Sequence, residues 1–196
     1  MIFALLLCVV SAEWARLNGS DKNDFNAFYK VDACWPVLKS DGTPEKYERV
    51  IRLNEKTVNM EVHSVEDSDC TKTPSVYVSY DAEYYSGLDD IIDDTLYFMK
   101  IWPSFKCDSN DEYLIYTFKK EGCNSGKGPK GDVSLYLKGD YEKKEFEYGT
   151  CDKSKLGKMK DDECSSGMKA FFSQDYENNV QPLGILLVFG ILLLFC

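Results

Sequence analysis

Thr57-Val58-Asn59-Met60-Glu61-Val62-His63 alternates apolar and polar side chains without a break. A period of two places Val58, Met60 and Val62 on one face and Asn59, Glu61 and His63 on the other, the pattern of a half-buried β-strand. Just upstream, Asn54-Glu55 separates this run from a second one at residues 47–53, so the two are expected to form a hairpin. Val133, Leu135 and Leu137 alternate in the same way against Ser134, Tyr136 and Lys138. Comparable runs lie at residues 28–33, 75–80, 96–101, 113–119 and 145–148, separated by Gly, Asp, Ser and Pro. Short strands at this spacing predict an all-β fold, an antiparallel sandwich or barrel-like domain of about eight strands. Helical pattern is sparse. Residues 21–29 and 166–176 suggest one short helix near each end, the second with Met168, Phe171, Phe172 and Tyr176 as its apolar side.

The 196 residues include 33 acidic and 23 basic side chains, for a net charge of −10. This balance argues against nucleic acid as a partner, because phosphate binding needs a clustered positive surface. The charge is uneven: residues 13–105 hold 18 acids and 10 bases, and residues 119–160 hold 7 acids and 11 bases. The densest basic part is Lys153-Ser-Lys-Leu-Gly-Lys-Met-Lys160. Such a strip suits anionic glycans or lipid headgroups, and it equally suits an edge strand kept soluble by lysine.

Residues 1–12 and 183–196 carry no charge. The first stretch is an apolar run ending in Val10-Ser11-Ala12, which reads as a compact signal peptide cleaved after Ala12, with Ala15 as the alternative. As a helix the 14-residue tail would span about 21 Å, short of a hydrocarbon core of about 30 Å. A polar spacer followed by a terminal apolar tail matches a glycolipid (GPI) anchor signal, with Ser165 and Ser173 as candidate attachment residues. A short tail anchor and a tail packed on the domain are the alternatives. The expected organisation is a signal at 1–12, one extracellular disulfide-rich β domain at 13–165, a polar spacer or short helix at 166–182, and the tail at 183–196. The stretch between the apolar ends, about 170 residues, suffices for one domain with a real core.

Cys34, Cys70, Cys107, Cys123, Cys151 and Cys164 lie between the two apolar ends. An even number in a chain routed through an oxidising compartment predicts three disulfides, with 15 pairings open. Zinc would want closely spaced Cys and His ligands, but no Cys-x-x-Cys occurs and His63 is the sole histidine. A faint internal repeat bears on the pairing. Trp35-Pro36-Val37-Leu38-Lys39 resembles Trp102-Pro103-Ser104-Phe105-Lys106, and each is followed by a polar loop and a strand. If the halves are equivalent, Cys34 pairs with Cys70, Cys107 with Cys123, and Cys151 with Cys164. Asn18-Gly19-Ser20 is a candidate glycosylation sequon.

Motifs for catalysis and cofactor binding are missing: there is no Gly-x-Ser-x-Gly, P-loop or Gly-x-Gly-x-x-Gly. By alternation His63 falls on the solvated side of its strand, so it reads as a surface histidine. Residues 89–94 and 108–112 offer clustered carboxylates to Ca2+, but neither fits the EF-hand loop. The abundant tyrosines suit ligand faces and half-buried sheets alike. The expectation is a non-enzymatic binding or adhesion-type glycoprotein, secreted or held on the outer cell surface. Its partner would be a macromolecule or another cell, and no cofactor or metal is expected. A carrier of a small hydrophobic ligand and a hydrolase using two carboxylates are the alternatives.

Overall fold

A computed structural model describes residues 13–17, 24–39, 41–104, 106–107, 111–128 and 131–175. The described chain is built almost wholly from antiparallel strands: β1 Trp14–Leu17, β2 Phe25–Lys30, β3 Cys34–Leu38, β4 Pro44–Asn54, β5 Thr57–His63, β6 Val76–Tyr85, β7 Tyr97–Ile101, β8 Leu114–Phe118, β9 Gly122–Gly128, β10 Gly131–Asp140, β11 Glu145–Gly149, β12 Leu156–Lys160 and β13 Met168–Phe172. One short helix, α1 Leu88–Ile92, joins β6 to β7, and residues 173–175 form a final helical turn. No helix among the described residues is long and apolar enough to cross a membrane.

The strands form two sheets, a nine-stranded one in the order β13-β7-β8-β2-β1-β6-β5-β4-β3 and a four-stranded one in the order β12-β11-β10-β9. The larger sheet divides its work. Its β13-β7-β8-β2 end packs against the small sheet as a sandwich, joining Phe25, Met99, Phe118, Ala170 and Phe172 to Leu137, Phe146 and Met159. Its other end curls into a half-barrel filled by Ala15, Leu17, Trp35, Val50, Val58, Met60 and Ala82. A parallel bridge from Val31 to Val50 ties the exit of β2 to β4. A third cluster, Trp14, Phe28, Ile91, Ile92, Phe98 and Ile115, sits where α1 covers the sheet. Sandwich and barrel, expected as alternatives, coexist in one sheet.

Two local expectations are corrected. Residues 25–30 and 168–172 are strands rather than helices. Phe25, Phe28 and Tyr29 recur at helical spacing, as do Met168, Phe171 and Phe172, but both segments are sheet strands with apolar cover on each face. Phe171 stacks on Phe98 on one side of β13, while Ala170 and Phe172 enter the sandwich core on the other. A strand buried on both faces loses its period of two.

The disulfides are Cys34–Cys70, Cys107–Cys164 and Cys123–Cys151. The first agrees with the repeat, whereas the pairings Cys107–Cys123 and Cys151–Cys164 are overturned. Strand neighbours decide the matter. Ile101 pairs with Met168, so the chain leaving β7 and the chain entering β13 run side by side and bring Cys107 to Cys164. Tyr136 of β10 has Cys123 on one side and Gly149 on the other, which leaves the turn after β11 within reach of Cys123.

Sandwich packing is tight at Gly139 of β10. A Cβ there would lie 2.7 Å from a ring carbon of Phe172 and 2.9 Å from one of Tyr97. Gly139→Val is therefore expected to cost about 1–3 kcal/mol by overpacking. Urea unfolding measures this, and an unchanged midpoint would show that the two rings yield freely.

Candidate functional site

The half-barrel is closed by side chains as well as by backbone. Trp35 projects from the edge strand β3 and is 2% exposed. It stacks on Tyr113 at 4.9 Å with an 18° interplanar angle, and on Tyr29 of β2 at 6.0 Å. Pro36, next along the strand, has no N–H to offer a further strand, which suits an edge position.

Beside this closure lies a cleft of about 370 Å3. Trp35, Pro36, Val37 and Leu38 line it from β3, and Ile101, Trp102, Pro103 and Ser104 line it from the end of β7. Tyr29, Glu48, Tyr113, Leu114, Ser166 and Met168 complete the lining. The two Trp-Pro pairs of the sequence repeat thus converge on one site. Both are held covalently. Cys34 precedes Trp35 and is bonded to Cys70, while the Cys107–Cys164 bridge joins the segments that carry Ser104 and Ser166. Trp102 is fixed further by its backbone N–H, which donates to the Gly167 carbonyl at 2.8 Å.

Glu48 is the only charged side chain among the described residues lining the cleft. It lies opposite Trp35 in the β3–β4 ladder and so shares the inner face. It is 7% exposed and pairs with Lys46 Nζ at 2.6 Å. Burial pushes the phenols of Tyr29 and Tyr113 upward, with neighbouring Tyr116 and the Glu48 charge adding to the effect, Tyr113 reaching about 12. Both therefore remain protonated at physiological pH and present O–H donors.

The other sequence candidates fall elsewhere. His63 is buried, which corrects its reading as a surface residue. Alternation does put it on the outer face with Glu61, but the following turn covers that face. Its Nδ1 lies 2.7 Å from Asp67 Oδ2 and its Nε2 lies 3.3 Å from Glu61 Oε2. Burial opposes ionisation of Asp67, yet hydrogen bonds from His63 and from the backbone N–H of Thr71 and Lys72 hold its carboxyl below the ordinary range. A lowered folded pKa adds stability that is present above the unfolded value of about 4 and is lost as pH falls from there through the lower folded value. Asp67→Asn is thus expected to be less stable than the wild type at pH 6, with the gap closing toward pH 2. Urea titrations at both pH values check this, and an equal gap at both would contradict it.

Asp89 and Asp90 occupy the first turn of α1, where Ser86 Oγ donates to Asp90 Oδ2 at 2.7 Å. An open cleft of about 750 Å3 there is lined by Glu13, Arg52, Tyr84, Tyr85, Ser86, Asp90 and Asp93, with Arg52 already paired to Glu13. Among the described residues no group of three or more His, Cys, Asp or Glu side chains is placed to hold a metal ion. Residues 108–110 of the second acidic cluster lie outside the described residues, as does Asn18. Lys155, Lys158 and Lys160 lie on or beside β12, the terminal strand of the small sheet, with Lys158 and Lys160 paired to Glu147 and Glu163. Ser165 bridges to Met168 just before β13, and Ser173 is buried, its Oγ 2.9 Å from Thr95 Oγ1.

Sequence reasoning marked both Trp-Pro pairs but missed Glu48 and Tyr29. The available signal was an acid in the inward register of a strand whose next inward residue is Val50. Comparison with protein-family models, curated proteins and solved structures finds no match to this chain.

Proposed function

We infer that the chain is a non-enzymatic binding protein displayed at the outer face of the plasma membrane, with the Trp35–Trp102 cleft as its contact site. The observation that carries this reading is the convergence of two covalently tethered Trp-Pro segments on one aromatic-lined cleft, a pre-organised surface of the kind that lowers the entropic cost of binding. Three disulfides agree with folding in an oxidising compartment. Cleavage after Ala12 keeps β1 whole, whereas cleavage after Ala15 would remove the buried Trp14 and Ala15. Of the two anchor candidates, Ser173 is compatible with the complete β13 and Ser165 is not. The apolar tail at 183–196 is then exchanged for a glycolipid, and Asn18 carries an N-linked glycan.

The test is to express the full chain in a eukaryotic cell and stain intact cells with an antibody to the domain. Surface signal that disappears after treatment with a phosphatidylinositol-specific phospholipase is the expected result. Signal seen only in permeabilised cells would overturn the reading. A second reading, carriage of a small apolar ligand, is favoured by one observation: the cleft volume lies within the range of small-molecule sites, about 300–1,000 Å3. A discrete extra mass that survives gentle ionisation of the purified protein would support it.

A further inference from the structure

We propose that the Trp35–Trp102 cleft binds a small organic cation, an alkylated ammonium group held between aromatic side chains and the Glu48 carboxylate. The inference rests on the reading of this cleft as the binding site and names its ligand chemistry. Tyr29, Trp35, Trp102 and Tyr113 all line a cavity of about 370 Å3, large enough for a choline-sized molecule. An aromatic face carries negative potential and attracts a cation within about 6 Å of its centroid, more strongly where water is excluded. Trp35, Tyr113 and Tyr29 stack on one another, which fixes these rings before any ligand arrives and leaves to a cation the faces turned away from the stack and that of Trp102.

Aromatic lining alone would suit any apolar guest; Glu48 makes the site selective. A carboxylate so little exposed is costly to bury unless a cation answers it. Lys46 gives that answer from outside the lining, its Nζ 2.6 Å from Glu48 Oε1. That ammonium marks where positive charge is accepted, and it is a resident competitor for the ligand. Elsewhere in the molecule cations already rest on aromatic faces, with Arg52 4.2 Å from the centroid of Tyr84 and Lys144 3.7 Å from that of Tyr141. An alkylated ammonium suits the cleft better than a primary one, because its methyl groups pack on the rings and its hydration is weaker. Its charge faces Glu48 while its body contacts Trp, Pro and Ile side chains.

The experiment titrates the full chain, purified in a non-ionic detergent from a eukaryotic host, with choline and with its neutral carbon isostere 3,3-dimethylbutan-1-ol. Tryptophan fluorescence and the indole N–H resonances are followed. Choline is expected to bind saturably and at least about tenfold more tightly than the isostere, which lacks the charge that the rings and the Glu48 carboxylate attract. Glu48→Gln, which keeps the shape, should cut that preference several-fold, leaving only what the aromatic faces supply. Lys46→Met, which removes the competitor, should tighten choline binding. Near-UV circular dichroism verifies that both variants keep the wild-type packing. Isostere binding as tight as choline binding would overturn the cation and leave a cleft for neutral ligands. Choline binding indifferent to both substitutions, or no binding of either compound, would also overturn the proposal. None of these outcomes depends on surface display, which the lipase experiment reads separately.

Discussion

A chain ended after Ser165 is expected not to fold, whereas one ended after Asp175 is expected to be secreted and fully oxidised. The difference is β13. It pairs along its whole length with β7, from Met168 opposite Ile101 to Phe172 opposite Tyr97. Ala170 and Phe172 fill the sandwich core, and Phe172 contacts Phe146, Tyr97 and Tyr141. Phe171 fills the other side against Phe98 at 4.8 Å. Losing one buried phenylalanine typically costs about 3–5 kcal/mol. Losing the buried Phe172 and the half-buried Phe171 with their strand removes a large part of a domain's stability, which is about 5–15 kcal/mol. The shortened protein would also bare the edge of β7, an invitation to aggregate. Comparing secreted yield and free thiols for the two truncations tests this. Equal yields of oxidised protein would show that β13 is dispensable, and Ser165 would return as an attachment site.

The second large effect is expected at Trp35. Replacing it by alanine should cost about 3–5 kcal/mol, and Trp35→Phe should recover much of the loss. Trp35 is the side chain of β3 that reaches across the half-barrel to Tyr29 and Tyr113, and it packs with Val50 and Met60 inside it. Without it β3 is held chiefly by its ladder with β4 and by the Cys34–Cys70 bridge. Chemical denaturation of the oxidised proteins reads the difference. A loss below about 1 kcal/mol, the size of a typical surface change, would mean that backbone contacts alone close the half-barrel.

Much of the strand pattern was legible in the sequence beforehand. Residues 57–63 read as β5 to the residue, because alternation is clean and the Asn54–Lys56 turn marks its start. Parts of β2, β4, β6, β7, β8, β10 and β11 were visible for the same reason. Invisible were strands whose pattern the tertiary structure cancels. β1 is buried at every position, with Ala15 and Leu17 inside the half-barrel and Trp14 under α1. β13 has apolar neighbours on both sides. β9, Gly-Cys-Asn-Ser-Gly-Lys-Gly, has no apolar alternation at all and is held by its ladder with β10. Its Asn124 is fully buried and donates to the carbonyls of Lys120 and Gly122 at 3.0 Å.

The disulfide framework followed the same rule. That six cysteines pair is compositional and could be read; which ones pair depends on strands brought together from distant parts of the chain. The repeat was a guide to the cleft and to the Cys34–Cys70 bridge, and not to the other two bridges. Both Trp-Pro pairs do line one cleft, one from β3 and one from the end of β7, a relation no local pattern expresses. His63 was assigned to the correct face and the wrong environment, since alternation gives direction while a later turn decides exposure.

The most direct test is the intact mass of the protein purified from whole cells expressing the full chain, with a non-reducing peptide map of the same sample. The expected result is a chain that begins at Glu13, ends at Ser173 or beyond with a glycolipid remnant, and holds Cys34–Cys70, Cys107–Cys164 and Cys123–Cys151 with no free thiol. A mass matching Met1–Cys196 with reduced cysteines would contradict it, removing both the oxidising compartment and the surface on which the binding role depends.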